Sequence, residues 1–333
     1  DPALHELTGE YAMYRAPGTV MFLVYLAGRS YLQAYEDTRS VLLAAVFANG
    51  VNLVLDLLLV FGDEGLMSVG LPAVGLPAMG AIGAGITTAF SSFALAGTLW
   101  FRARRFRPPA AEIEQAPRPS GRTLLRLGVP IGLQVCAETW LFSLVGILAG
   151  RLGAVAVGGH QVALTLAAGT FMIALGISSA TAVRVGQAIG AGRQEAVRVV
   201  GLAGVITTTG WMSLTALAFL AIPGQLVALL TSQPEVLACA EGLLAVAAAF
   251  AIFDAIQVAM AGALRGAGDV RLPFLLTVAG QWGLGFPVAY YLGLETALGV
   301  TGFWYGLTAG LLGISVVLSL RFWQLTRGPI ATL

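Results

Sequence analysis

Two carboxylates stand in stretches that are otherwise apolar. Glu138 lies in GLQVCAETWLFSLVGIL and Asp254 in FAIFDAIQVAMAGAL. Neither has an obvious Lys or Arg partner at helical spacing. Gln134 precedes Glu138 by one helical turn and Gln257 follows Asp254 by another, so each acid shares a helix face with an amide. Such a donor set offers oxygen to a cation. Two acids in one half of the chain could bind Na⁺ or H⁺ and release it on a change of state. A carboxyl group among apolar side chains resists ionisation, which suits it to proton exchange. The competing reading is that each acid is protonated and hydrogen-bonded in a helix interface. A second group occupies FANGVNLVLDLLLVFG, where Asn49, Asn52 and Asp56 fall on one helix face. Hydroxyls follow at Thr87, Thr88, Ser91 and Ser92. These residues form either a second polar chamber or interhelical hydrogen bonds worth about 1 kcal/mol or less each.

The remaining polar groups point to no catalysis. His160 and Gln161 open an apolar segment, and nothing near His160 has metal-ligand spacing; His160 reads as a packing or hydrogen-bonding residue. No metal is expected beyond Na⁺ at Glu138 and Asp254. Arg184 and Arg265 fall at helix ends, where they can cap carbonyls and reach the membrane interface. GQAIGAG lacks the Lys-Ser/Thr ending of a phosphate loop. Cys136 and Cys239 lie in or beside apolar stretches and read as packing residues. No nucleophile–base pair and no cofactor site is visible, so an enzyme is not expected.

The elements that must position these groups are membrane helices. Of 333 residues, 57% are hydrophobic and 11% charged, less than half the usual charge of a soluble domain. With a net charge of +1 and arginines confined to loops, nucleic acid is not an expected partner. Nine segments are long enough to cross a bilayer, near 14–34, 41–61, 79–101, 128–151, 154–178, 199–222, 236–260, 272–292 and 299–323. Helices are required because lipid cannot satisfy exposed backbone groups. The expected fold is therefore all-α, a polytopic transmembrane helix bundle. Seven arginines in 102–126 place that loop in the cytoplasm. Alternation then puts 16 arginines inside and 2 outside, the C-terminus in the cytoplasm and Asp1 outside. That placement of Asp1 leads to the expectation of an odd number of preceding spans.

The chain also repeats itself. AGRSYLQAYEDTRSVLLAAVFANGVNL resembles AMAGALRGAGDVRLPFLLTVAGQWGLG, with Asp37-Thr38-Arg39 matching Asp269-Val270-Arg271. The following GAIGAGITTAF and GVTGFWYGLTAG correspond as glycine-rich starts of the next span. Repeated halves are typical of secondary transporters. The expected organisation is a partial N-lobe of three helices (1–107), a cytoplasmic linker (108–127), a C-lobe of six helices (128–327) and a tail (328–333). Three further helices, roughly 100 residues, would complete the first lobe. Without them the chain as given is expected to be inactive.

Several stretches resemble the multidrug and toxic compound extrusion (MATE) family. They are GVPIGLQVCAETWLFSLVGILAGRLGAVAVGGHQVAL, ATAVRVGQAIGAGRQEAV and FDAIQVAMAGALRGAGDVRLPF in the second half, and GRSYLQAYEDTR, NGVNLVLDLLLVFG and LPAMGAIGAGITTAF in the first. The resemblance covers essentially the whole chain. It implies two pseudo-symmetric six-helix lobes, here without the first three helices, and export of drugs in exchange for Na⁺ or H⁺. In the NorM-like branch it implies a cation site at positions matching Glu138 and Asp254, with Phe171 as an aromatic neighbour. To these we add Gln257. In the DinF-like branch it implies a first-lobe site matching Asn52, Asp56 and Thr88, to which Asn49 is added from its shared face. The sequence departs from the family where Ala174 stands in place of a frequent Pro, and where DEGLMSVGLPAVGLPAMG carries GLPA twice.

The expected function is thus a secondary exporter of cationic amphiphilic drugs, driven by Na⁺ or H⁺ through alternating access. It would be monomeric, in contact with membrane lipid, and multi-pass in the bacterial inner membrane. A lipid-linked oligosaccharide flippase of the same superfamily would line its cavity with several basic residues, which this chain lacks. A non-coupled channel or structural subunit would need no coupling ion.

Overall fold

A computed structural model describes residues 2–106 and 120–328, with side chains from residue 7 onward. Asp1, most of the expected linker 108–127 and the tail from residue 329 lie outside the described residues. All regular structure among them is helical, and the chain divides into two compact units, Asp1–Pro117 and Arg118–Leu333.

In the first unit, α1 (Pro2–Ala34) is followed by α2 (Thr38–Leu55), which runs into a π-helix at Asp56–Val60. The short α3 (Asp63–Ser68), then α4 (Gly80–Ala103) and a 3₁₀ turn at Arg104–Phe106 complete it. Asp37 starts α2 as its N-cap, accepting from the Ser40 backbone N–H at 3.0 Å and the Ser40 hydroxyl at 2.6 Å. Helix α1 lies along α4, and a Cβ on Gly18 would sit 2.5 Å from Ala89 Cα. Leu32, Ala44 and Leu99 form the core of this unit. The doubled GLPA segment folds around one carboxylate. Asp63 accepts from the backbone N–H groups of Val74 (2.9 Å), Gly75 (3.1 Å) and Leu76 (3.1 Å).

The second unit comprises α5 (Gly121–Arg151), α6 (Ala154–Gly190), α7 (Gln194–Ala221), α8 (Pro223–Ala228) and α9 (Pro234–Gly266). It continues with α10 (Arg271–Val278), a π-helix at Ala279–Gly285, α11 (Phe286–Leu294) and α12 (Val300–Leu325). Helix α5 begins seven residues earlier than hydropathy suggests, because Ser120 caps it through the Thr123 N–H at 3.3 Å and its first turns carry Arg122 and Arg126. Residues 121–127, read from sequence as linker, are therefore helical. Helix α9 is the most enclosed element of the unit and packs against α6, α7 and α12. Close approach of α6 and α9 depends on Gly262 and Gly266, where a Cβ would collide with Ser178 and with the backbone of Ala182. Small residues at such crossings let membrane helices gain van der Waals contact that lipid cannot supply.

Among the described residues, eight helical stretches are long and apolar enough to cross a membrane, against nine expected. The missing one is 14–34. It lies within α1, which is long enough, but Arg15, Pro17 and Arg29 dilute its apolar content. The outward faces are strongly hydrophobic, with Val199 68% and Ile206 71% exposed on α7. In water such a surface would drive association; in a bilayer it meets lipid.

Candidate functional site

In the second unit, α5 and α9 bring the expected residues together. Glu138 is half-buried on α5, and its Oε1 accepts from two amides: Gln134 Nε2 at 3.1 Å on the same helix and Gln257 Nε2 at 3.4 Å on α9. The second bond joins residues 119 positions apart in the chain. Asp254 stands one turn before Gln257, half-buried, close enough to Glu138 for their charges to interact. Phe171 on α6 packs against a cluster that includes Ala251 and Ala255 of α9, the residues flanking Asp254. In the same region, the Trp211 indole N–H donates to Thr170 O at 3.1 Å.

This arrangement can hold a hard monovalent cation. Carboxylate oxygens are anionic ligands, and an amide that donates through its nitrogen keeps its carbonyl oxygen available. Two carboxylates in mutual range repel when both are ionised, so a bound cation or proton stabilises the pair. Among the described residues no group of three His, Cys, Asp or Glu could hold a metal ion by itself.

Three contributors escaped the sequence reading. The Trp282 indole N–H donates to Ala137 O at 3.2 Å, next to Glu138 in the chain. Trp282 belongs to the π-helix between α10 and α11, and π segments are frequent at functional sites. The pair Gln281-Trp282 within an apolar span was the available signal. Ser178 on α6, fully buried, donates to Val258 O at 2.6 Å. Arg265 does not cap carbonyls at its helix end as expected. Its guanidinium turns inward and donates to Ser178 Oγ at 3.4 Å. The interval from Asp254 to Arg265 is three helical turns, which places both on one face.

The first-unit residues assemble only in part. Thr87 Oγ1 donates to Asp56 Oδ1 at 2.5 Å, joining α4 to the start of the π-helix. Thr88, the residue expected there, instead donates to Ala84 O of its own helix at 2.8 Å. Asn49 is exposed and donates to Ala45 O at 2.9 Å, again within its own helix. Asn52 is half-buried on the face leading to Asp56. Ser91 donates across to Ala48 O at 3.0 Å.

His160 is 1% exposed and stacks edge-on to Trp304 with ring centroids 6.0 Å apart, as a packing residue would. Cys136 and Cys239 are free thiols.

Eight membrane-length apolar helices among the described residues, in two helical units, make this a polytopic membrane protein, and its second unit brings Glu138 and Asp254 into one region. Residues 130–291 match the family model MatE. The chain belongs to the multidrug and toxic compound extrusion family. It is 34% identical to "Multidrug resistance protein NorM" of Burkholderia vietnamiensis over 99% of this chain and 71% of that protein. It is 31% identical to "Multidrug resistance protein PmpM" of Pseudomonas aeruginosa over 97% of this chain and 68% of that protein. A solved structure, "Crystal structure of MATE in the straight conformation", superposes with a TM-score of 0.82 at 20% identity, over 96% of this chain and 70% of that one. That likeness extends to the fold.

Proposed function

We propose that this chain belongs to a multidrug exporter that couples inward flow of Na⁺ or H⁺ to outward flow of cationic amphiphilic drugs. The observation that carries the proposal is the Gln257–Glu138 hydrogen bond, which joins α5 to α9 beside Asp254. A cation or proton taken up by Glu138 and Asp254 links two helices, so its binding favours whichever arrangement of α5 and α9 brings the acids together. Release favours the other. The ion drives the cycle only because its affinity differs between the two states. Phe171 supplies an aromatic face near the bound cation. The names of the NorM and PmpM relatives support drugs as the substrate class.

Of the first-lobe residues, Asn52 and Asp56 with Thr87 are the part that contributes to cation or substrate binding, while Asn49 and Thr88, bonded within their own helices, flank it. We place the protein as a monomer in the bacterial inner membrane with its C-terminus in the cytoplasm, following the arginine distribution. The experiment is gradient-driven drug efflux from proteoliposomes containing wild-type transporter or its Glu138→Gln and Asp254→Asn variants. Loss of coupling in both variants supports the assignment, and full coupling in either removes it.

A further inference from the structure

Arginine at a helix end in a membrane protein ordinarily extends toward the polar interface, where its charge is cheap to hold. Arg265 stands in the last turn of α9 and does the opposite. Its guanidinium donates to Ser178 Oγ at 3.4 Å, and that hydroxyl, fully buried, donates in turn to Val258 O at 2.6 Å. The charged head therefore lies back along α9, toward the start of the helix. The path is open because Gly262, one turn earlier, carries no side chain and lets α6 deliver Ser178 against α9. Asp254, Gln257, Ala261 and Arg265 follow at intervals of three, four and four residues, one stripe of the helix. At the other end of the stripe Gln257 holds Glu138 at 3.4 Å. Arg265 and Glu138 are near enough for their charges to interact. The next acid along the chain, Asp269, is held elsewhere by Arg321 at 2.8 Å.

We propose that Arg265 is a resident counter-charge to Glu138 and, through Glu138, to the Glu138–Asp254 pair. With both acids ionised, the three groups carry one net negative charge, and one monovalent cation brings the site to neutrality. The inference rests on the carboxylate-pair reading above and adds a positioning residue to it. The guanidinium competes with the coupling ion for the carboxylates, which lowers the affinity enough for the ion to leave in each cycle. Ser178 sets how far the guanidinium stands from Glu138. The groups that face this cluster are Gln134 and Glu138 from α5, Ser178 from α6, and Asp254, Gln257 and Arg265 from α9.

The test follows intrinsic tryptophan fluorescence of the purified full-length transporter, titrated with Na⁺ at fixed pH and with H⁺ in the absence of Na⁺. Trp282, bonded beside Glu138, supplies the signal. Removing a unit charge that acts on Glu138, Arg265→Gln, is expected to tighten binding of the responding cation about tenfold, or about one pH unit for H⁺. Arg265→Lys, which keeps the charge, should stay within about twofold of wild type. An unchanged or weakened affinity in Arg265→Gln overturns the proposal, as does an equal shift in Arg265→Lys. Should Arg265→Gln fail to fold, Ser178→Ala decides. It frees the guanidinium toward Glu138 and is expected to weaken cation binding by a few-fold, and no shift counts against the proposal. Asp254→Asn separates the two levels. If it retains the full response, the carboxylate reading fails and this inference with it. If it abolishes the response while Arg265→Gln leaves affinity unmoved, only the role of Arg265 fails.

Discussion

Arg321 Nε donates to Asp269 Oδ2 at 2.8 Å, fastening the last turns of α12 to the turn between α9 and α10. The first unit carries a counterpart. Asp37 matches Asp269 in the repeat, and Arg102 follows Gly80 at the interval by which Arg321 follows Gly299. Asp37 is engaged mainly by Ser40, with Arg102 acting at longer range. One repeated acid thus became an ion pair in the second unit and a helix cap in the first. With its side chain 15% exposed and that of Arg321 33%, the pair is partly screened. Asp269→Asn is expected to lower unfolding stability by about 1 kcal/mol. Thermal melting in detergent checks this, and an unchanged midpoint would show that the pair adds nothing.

A sharper contrast separates two neighbouring threonines. Thr87 holds Asp56 at 2.5 Å, whereas Thr88 bonds only its own helix. Thr87→Val leaves the Asp56 carboxyl without its partner and is expected to cost about 1–2 kcal/mol. Thr88→Val should stay within about 0.5 kcal/mol of wild type. Melting curves of the two variants give the comparison directly, and equal effects would contradict the geometry.

The doubled GLPA loop should depend on pH through Asp63. Backbone N–H groups of Val74, Leu76 and Gly75 favour its ionised form and hold its carboxyl below the usual carboxylate range. Because the folded-state value is the depressed one, the stabilisation is fully present above the ordinary carboxylate value. It is lost as pH falls through the depressed value. Hydrogen exchange at Val74, Gly75 and Leu76 should therefore be protected at neutral pH and unprotected in strong acid. In Asp63→Asn that protection should be weak at every pH. Protection unaffected by the substitution would mean that the loop is ordered by other contacts.

Most of the helical plan was legible because its cause is local. Apolar length marks eight spans among the described residues, and the Asp-x-Arg turn marks the repeat. Helix α1 blurred that signal, since Arg15 and Arg29 sit within its apolar run. The acids Glu138 and Asp254 stood out as charges with no local partner. Gln134 was readable as a same-helix neighbour of Glu138, but their neighbours on other helices could not be read, because helical spacing gives the face of a residue and not which helix that face meets. Gln257 reaches Glu138 across 119 positions. Thr87 and Thr88 differ by one step around the helix, and only the rotation of α4 against Asp56 chooses between them. Arg265 was misread because its place at a helix end suggested the interface; the glycine that turns it inward, Gly262, acts through Ser178 on another helix.

The central claim is that Glu138 and Asp254 couple cation entry to drug export. Its most direct test is drug efflux from proteoliposomes under an imposed Na⁺ or pH gradient, comparing the wild-type full-length transporter with Asp254→Asn. The expected result is gradient-driven efflux in the wild type and a loss of about tenfold or more in the variant, with equal amounts of protein inserted. Undiminished gradient-driven efflux by Asp254→Asn would contradict it.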